Sequence, residues 1–594
     1  MAYAHFHRPH YRSNPLPVFH DLDGSPIYEY SDQGLLCTII RRNELTALNS
    51  YNECAHTRVF CKAYEFDDSN PFHIAIQSDS FDVLRELFRI YLSDSELIET
   101  LEDYLKRFHS PVIEACATAN REMVLWLMDH DPPLGKLHDH DFEGQTALLR
   151  AAEALKEAGN SALEAKPADS QTAHQHCKRI ESFISWLLDN DCSLETNLYD
   201  EWYEADEQDE SDCVPMPRGT VLGDAVSYAG YELVSRLIAK GADVHGRQNW
   251  TGGPLFEITH AHNVTALHIA ALSWNVEAIR ALIDHRGEVE AADMVVGLDS
   301  YGRHPLHWAL TGISSNYADS ANSDDISSRM NGTLKLLLDI KPDSVYTRER
   351  HGATVFHYAL HNNTGHGANI GAIKLLLHTN QLPDTLNFRN NVGAIALGEA
   401  LEQHQFVPGD LEIVSEILKI LLKNGADLRA CDNLGRNVLQ KLCSISWLES
   451  ILTSSGVDRM LDHLHINEKD DLGCTALHYL VRHLDQVDAI RHFVLRGADV
   501  NAVDLKGNTP LHEAMKGTII KRMEEPGNRE EINERLRQAL HYKRDLSFKS
   551  CQILAPPKKW STQRGRRRNK YWMVLRKSVH VDWQLRMQAV EEVR

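Results

Sequence analysis

The stretch DLKGNTPLHEA, running from Asp504 to Ala514, decides how this chain folds. Sliding its frame, G-x-T-P-L-H-x-A, along the 594 residues finds GCTALHYL at 473–480, GATVFHYA at 352–359, GRHPLHWA at 302–309 and VTALHIA at 264–270. Weaker copies are GRNVLQKL (435–442), GAIALGEA (393–400), GTVLGDA (219–225), GQTALLRA (144–151), SPVIEA (110–115) and SNPFHIA (69–75). The leucine position of successive copies advances in steps of 34 to 50 residues, with one step of 74. A period in that range, interrupted by insertions, marks an array of repeats.

A second motif follows most copies: LVSRLIAKGADVHG (233–246), ILKILLKNGADLRA (417–430) and AIRHFVLRGADVNA (489–502). Apolar residues at i, i+3, i+4 and i+7 predict an amphipathic helix, and the glycine after it is a stop signal. Each unit therefore reads as a turn, a short helix, a second helix, and Gly-Ala-Asp leading into the next turn. T-P-L-H-x-A followed by a helix and G-A-D-V-N resembles the ankyrin-repeat family over residues 66–520, in about eleven copies. The resemblance implies an all-α ankyrin-repeat solenoid of helix-turn-helix units joined by hairpin-like loops. It predicts helix starts at Thr265, Thr354, Thr475 and Thr509. Threonine there is suited to capping free N–H groups, and proline after it is tolerated in the first turn.

The 33 histidines invite a metal or pH-sensing reading, and position decides against the first. His73, His268, His307, His357, His478 and His512 all hold the motif's histidine place. In the resembled family that residue hydrogen-bonds neighbouring backbone and ties one repeat to the next. The pairs His138/His140, His174/His176, His260/His262 and His463/His465 lie in turns or insertions, without further ligands at zinc-finger spacing. No cofactor is expected.

Composition agrees with an interaction protein. The chain is 43% hydrophobic and 25% charged, which excludes wholesale disorder, and its net charge of −22 repels nucleic acid and anionic membrane over most of its length. Its start, MAYAHFHRPHYRSNPLPV, lacks a signal peptide's apolar stretch, and no run reaches the roughly 18 apolar residues of a membrane span. The eleven cysteines contain no C-x-x-C pair, so free thiols and an intracellular location, cytoplasmic or nuclear, are expected.

Residues 1–32 read as an extended segment and 33–65 as an atypical capping repeat of two helical pieces. Insertions fall near 152–180, between two repeat helices; near 195–214, where ETNLYDEWYEADEQDESD is an acidic block; and near 311–330, a polar loop. Residues 521–550 read as a charged helical segment. In the basic tail 551–594, positions 555–580 hold nine Lys/Arg and no Asp/Glu. Arg564, Arg566, Arg567, Arg568 and Lys570 would serve as a nuclear-import signal, or the tail could contact nucleic acid or lie against the acidic array.

Compact catalytic motifs are missing: there is no P-loop, H-E-x-x-H, G-x-S-x-G or kinase-like H-R-D. GHGANIG (365–371) has the wrong glycine spacing for a dinucleotide loop. A non-enzymatic binding role is therefore expected, with one or more proteins as partners. In the resembled family, partners meet the turn tips and the exposed side of the first helices. Carried onto this chain, the tips are Phe142, Glu143, Tyr301, Arg303, Arg350, His351, Asn433, Arg436, Leu472 and Lys506, and the helix positions Tyr228, Trp308, Tyr358, Tyr479 and Arg482. Trp308, Tyr358 and Tyr301 would form an aromatic patch if exposed, or fill space between repeats if buried.

Overall fold

The computed structural model describes residues 32–54, 70–93, 110–131, 133–140, 144–164, 170–195, 219–255, 258–285, 288–311, 323–361, 368–379, 385–402, 411–444, 466–483 and 486–516, with the short pieces 19–20, 26–27, 97–98 and 101. Helices dominate, as an all-α repeat fold requires. The chain divides into two compact units, Met1–Asp325 and Ile326–Arg594.

In the first unit, helices Asp32–Arg41 and Leu45–Cys54 pack on the helix pair Pro71–Gln77 and Phe81–Ser93. Leu35, Leu36, Ile39, Ile40 and Leu48 supply the buried face of that leading pair. First helices then follow one another in contact: Pro71–Gln77, Pro111–Cys116, Ala147–Glu164, Val221–Ala225, Ala266–Leu272 and Pro305–Thr311. In the second unit the same row runs Val355–His361, Ala396–Glu402, Val438–Leu442, Ala476–Leu480 and Pro510–Lys516. Most of these helices span only five to seven residues, too few to persist alone. Their stability comes from stacking, with Leu148, Leu267, Leu306, Phe356 and Leu477 wholly buried between neighbours. The second helices end as expected: Gly241, Gly425 and Gly497 follow them with φ of 104°, 93° and 92°, a conformation that glycine adopts without penalty.

Helix starts occur one residue after Thr265, Thr354, Thr475 and Thr509, and at Thr265 and Thr475 threonine and the histidine three residues on form a reciprocal capping box. The Thr265, Thr354 and Thr475 backbone N–H groups each donate to Nδ1 of the histidine three residues on, at 3.3, 3.1 and 3.1 Å. Nδ1 is thereby an acceptor, so the threonine hydroxyls donate to it as well, at 2.8–3.0 Å. Ordinary side-chain caps appear where histidine is missing or the head is not threonine: Asn70, Ser110, Thr220 and Asn437 each accept a first-turn N–H.

Two sequence expectations need correction. The 152–180 insertion is not a loop between ordinary repeat helices. It lengthens both of them, to Ala147–Glu164 and Ser170–Asp189. Gly159 lies inside the first because the Tyr228 ring occupies its face: a Cβ there would fall 1.9 Å from the ring. The Tyr228 hydroxyl then donates to Asn160 Oδ1 at 2.7 Å. Similarly, part of the 311–330 loop belongs to helix Ser323–Ile340. The acidic block beyond residue 195 lies outside the described residues, as do 521–594.

The second correction is to the length of one hairpin-like loop. A two-stranded antiparallel hairpin, Arg247–Leu255 with Ile258–Thr265, precedes helix Ala266–Leu272. It has a structural task in the preceding repeat, where Gly223 stands in the histidine place. Gln248 of the hairpin enters that space, and its Oε1 accepts the Thr220 N–H at 2.9 Å and hydroxyl at 2.7 Å. A Cβ on Gly223 would meet the same oxygen at 2.0 Å.

Candidate interaction surface

The turn before each first helix is built around one acceptor. In Asp299, Asp432, Asp470 and Asp504 a single Oδ1 accepts the N–H groups two and four residues on, and Glu349 does the same with its two oxygens. Asn390 accepts from Ala394. The turn is then closed by a glycine of positive φ: 75° at Gly302, 77° at Gly352 and Gly393, 70° at Gly435 and 75° at Gly473. At Gly393 no side chain could fit in any case, since a Cβ would come within 2.8 Å of the Asn433 backbone N.

That closeness reflects a ladder between crests. Within the second unit, Asn391 N–H donates to His351 O, Asn433 to Val392 O, Asp471 to Leu434 O and Leu505 to Leu472 O, at 2.8–3.1 Å. The residue just before each turn glycine thus stands on a hydrogen-bonded crest: His351, Val392, Leu434, Leu472 and Lys506. Three consecutive ones are aliphatic and open to solvent, Val392 at 61%, Leu434 at 51% and Leu472 at 54%, and Leu505 beside Lys506 is 77% exposed.

The expected site residues distribute unevenly over this surface. Arg350, His351, Leu472, Asn433 and Lys506 are exposed on the crest. Tyr301 and Arg436 are half-buried, and Arg436 is held by Asp432 at 2.7 Å. Phe142 and Glu143 lie outside the described residues, as do Arg564, Arg566, Arg567, Arg568 and Lys570.

Trp308, Tyr358 and Tyr479 are buried, which rules out the aromatic patch, and Arg303 is buried too. The reason is a second use of the position after the motif histidine. Its side chain reaches back to the turn acid: Trp308 Nε1 donates to Asp299 Oδ2 at 3.0 Å, the Tyr479 hydroxyl to Asp470 Oδ2 at 2.5 Å, and Lys441 Nζ lies 3.1 Å from Asp432 Oδ2. Trp308 is further enclosed by Trp250 of the hairpin and by His268, with ring centroids at 5.4 and 5.5 Å. Arg303 bonds Asp299 through Nε at 2.7 Å and lies against the Trp308 and Tyr301 rings. Of the remaining helix positions, Tyr228 packs on Gly159, and Arg482 pairs with Glu513 at 3.1 Å. The exposed Val392, Leu434 and Leu505 escaped the sequence reading. For Val392 and Leu434 the signal was the aliphatic residue before the turn glycine in N-V-G and N-L-G, an unusual choice for a solvent-facing tip, and for Leu505 the leucine one place earlier in D-L-K-G.

Links between repeats use the motif histidine's other nitrogen. Nε2 of His268, His357 and His478 donates to the Arg303, Ala394 and Asn508 carbonyls at 3.1–3.2 Å. Where Gln440 replaces histidine, its Oε1 accepts the Asn437 N–H at 2.7 Å and its Nε2 donates to Cys474 O at 2.9 Å. Burial holds His268 and His357 at about 4, well below the usual imidazole value, and lowers His478 as well.

Elsewhere, Glu114–Arg150 at 2.7 Å, Arg150–Glu153 at 3.4 Å and Lys156–Asp224 at 2.9 Å bridge three successive first helices. Burial, and then the charge of Asp224, push Glu153 up to about 7. These ions tie one repeat to the next. Burial raises the thiols of Cys116, Cys192, Cys443 and Cys474, making them poor nucleophiles. Among the described residues no cluster of three or more His, Cys, Asp or Glu is arranged to hold a metal, and no helix is long and apolar enough to cross a membrane.

The family model for ankyrin repeats matches residues 222–320 and 409–504, in three copies. No curated protein matches the chain. Ankyrin repeats as a class mediate protein–protein interaction. The histidine-capped helix pairs and glycine-closed turns of these two segments are ankyrin repeats.

Proposed function

We propose that the chain is a non-enzymatic scaffold or adaptor that captures a protein on the crest of its turns, and that the repeats extend beyond the matched segments to all eleven motif copies. The observation that carries this reading is the row Val392, Leu434 and Leu472, three aliphatic side chains more than half exposed on a rigid hydrogen-bonded edge. Apolar side chains held out in water in sequence along one edge are the mark of an interaction surface. Arg350, His351, Asn433, Arg436 and Lys506 frame the row, and Tyr301 holds the equivalent place in the first unit. The test is affinity capture from cells with the full chain and with Leu434→Glu/Leu472→Glu, compared by quantitative mass spectrometry. The variant should keep its thermal stability and lose its specific partners. An unchanged set of captured proteins would refute the crest as the binding surface.

A second reading concerns where the scaffold works. The cations at 555–580 favour a nuclear regulatory role, with Arg564, Arg566, Arg567, Arg568 and Lys570 as the import signal. A fluorescent fusion with and without residues 555–594 tests it: loss of nuclear signal on truncation supports the reading, and an identical, uniformly cytoplasmic signal in both removes it.

A further inference from the structure

We infer that the crest of the second unit takes an extended, acidic segment of its partner, one that presents an apolar side chain at every third residue. This rests on the crest being the protein-binding surface and specifies the chemistry of what it binds.

Spacing comes from the ladder. Each turn is a small hairpin whose arms are bridged, Arg348 with Thr354, Arg389 with Ile395, and Cys431 with Asn437. Each crest is in turn bonded to the next one. That makes two chain crossings per repeat, each about 4.8 Å, so successive crest residues stand roughly 10 Å apart. A β-strand returns to the same face every two residues, near 6.7 Å, and falls out of step at once. A polyproline-type segment has three residues per turn and rises about 3.1 Å per residue, so its face recurs every 9 Å or so. Its every third side chain can therefore meet Val392, Leu434 and Leu472 in turn.

Charge supplies the second requirement. The turn acids Glu349, Asp432, Asp470 and Asp504 direct their carboxylates inward, onto backbone N–H groups of their own turns. The cations beside them point outward. Arg350 and Lys506 are exposed at the two ends of the row, and exposed Arg389 and Lys469 bond the neutral carbonyls of Cys431 and Val503. Against these four cations the row carries one exposed acid, Asp471, so on a chain of net charge −22 this edge is locally cationic and selects acidic residues between the apolar ones. Phosphates would meet the same cations, but the three central crest residues are aliphatic and offer bases no stacking platform.

Fluorescence anisotropy with the full-length protein tests the inference. The probes are labelled peptides of about fifteen residues: proline-containing with Leu at every third place among Asp and Glu; the same composition with Leu at every second place; the first peptide with Lys for the acids; and a single-stranded oligonucleotide. The acidic period-three peptide should bind at least about tenfold tighter than any other probe, and more weakly as salt rises. Leu434→Glu/Leu472→Glu should abolish this preference, and Arg350→Glu/Lys506→Glu should shift it toward the lysine peptide. Equal binding of both leucine spacings, tightest binding of the oligonucleotide, or binding that survives both variants would overturn the inference. If captured proteins depend on Leu434 and Leu472 while the peptides show no preference, only the partner chemistry fails. If neither depends on them, the crest itself is not the site.

Discussion

The buried histidines make the stack acid-sensitive by an amount the structure sets. His268 and His357 accept two hydrogen bonds at Nδ1 and donate one from Nε2, so the neutral Nε2–H form satisfies both nitrogens. A proton added at Nδ1 would face two donors in a buried site. Burial accordingly lowers both groups from 6.5 to about 4. In the unfolded chain they take up a proton near 6.5, so acid favours unfolding. Stability is complete above pH 6.5 and is lost progressively as pH falls toward about 4. At 1.36 kcal/mol per unit, each histidine accounts for about 3 kcal/mol at the bottom of that window. The chain itself contains the control, because Gln440 makes both links without titrating. His357→Gln should therefore remove about 3 kcal/mol of acid sensitivity from its repeat while keeping the bond to Ala394. Hydrogen exchange of the amides in helix Val355–His361, followed from neutral to acid pH, reads this locally. Parallel loss of protection in wild type and variant would refute the argument.

Three further outcomes are expected. Leu477→Ala should destabilise its repeat and soften both neighbours by roughly 2–5 kcal/mol in total, seen as faster exchange on either side. Gly159→Ala should destabilise the first unit by about 1–3 kcal/mol in thermal melts, and Tyr228→Ala should relieve that penalty in a double-mutant cycle. For Glu153, raised to about 7 by burial, ionisation favours the unfolded chain as pH climbs from 4.5 through 7. Glu153→Gln should thus gain stability relative to wild type at pH 8 and gain less at pH 5, and the opposite trend in melting temperature would contradict the assignment.

Helix starts and glycine stops were legible because each depends on residues a few places apart, whereas the inter-repeat role of histidine came from the resemblance, since its bond reaches 30 to 37 residues onward. Thr265 and His268 lie on one turn, and Gly241 directly follows its helix. What escaped the reading depends on partners far along the chain. Gly159 reads as a helix breaker until Tyr228 is seen to occupy its face, 69 residues away by number. Gln248 replaces a missing histidine in another repeat, which no local pattern announces. Trp308 and Tyr479 share the residue types of interface anchors, yet a polar tip that can reach a turn carboxylate suits a buried place equally well. The crest was only half readable: Leu472 was among the expected tips, while Val392 and Leu434, which hold the same place beside a turn glycine, were passed over.

The links between repeats also have a direction. His268, His357, Gln440 and His478 each donate to a carbonyl 30 to 37 residues further on. A chain cut from its N-terminal end loses donors and leaves carbonyls, which water can satisfy at the new surface. Cut from the other end, it leaves a ring N–H at the stack's broken face, where water takes the place of the lost carbonyl. The same polarity applies during synthesis. As the chain leaves the ribosome, each repeat is capped from within by its own threonine and histidine, but its onward bond waits for the next turn to emerge. The newest repeat is always the least secured, and the growing array locks one repeat behind the point of synthesis.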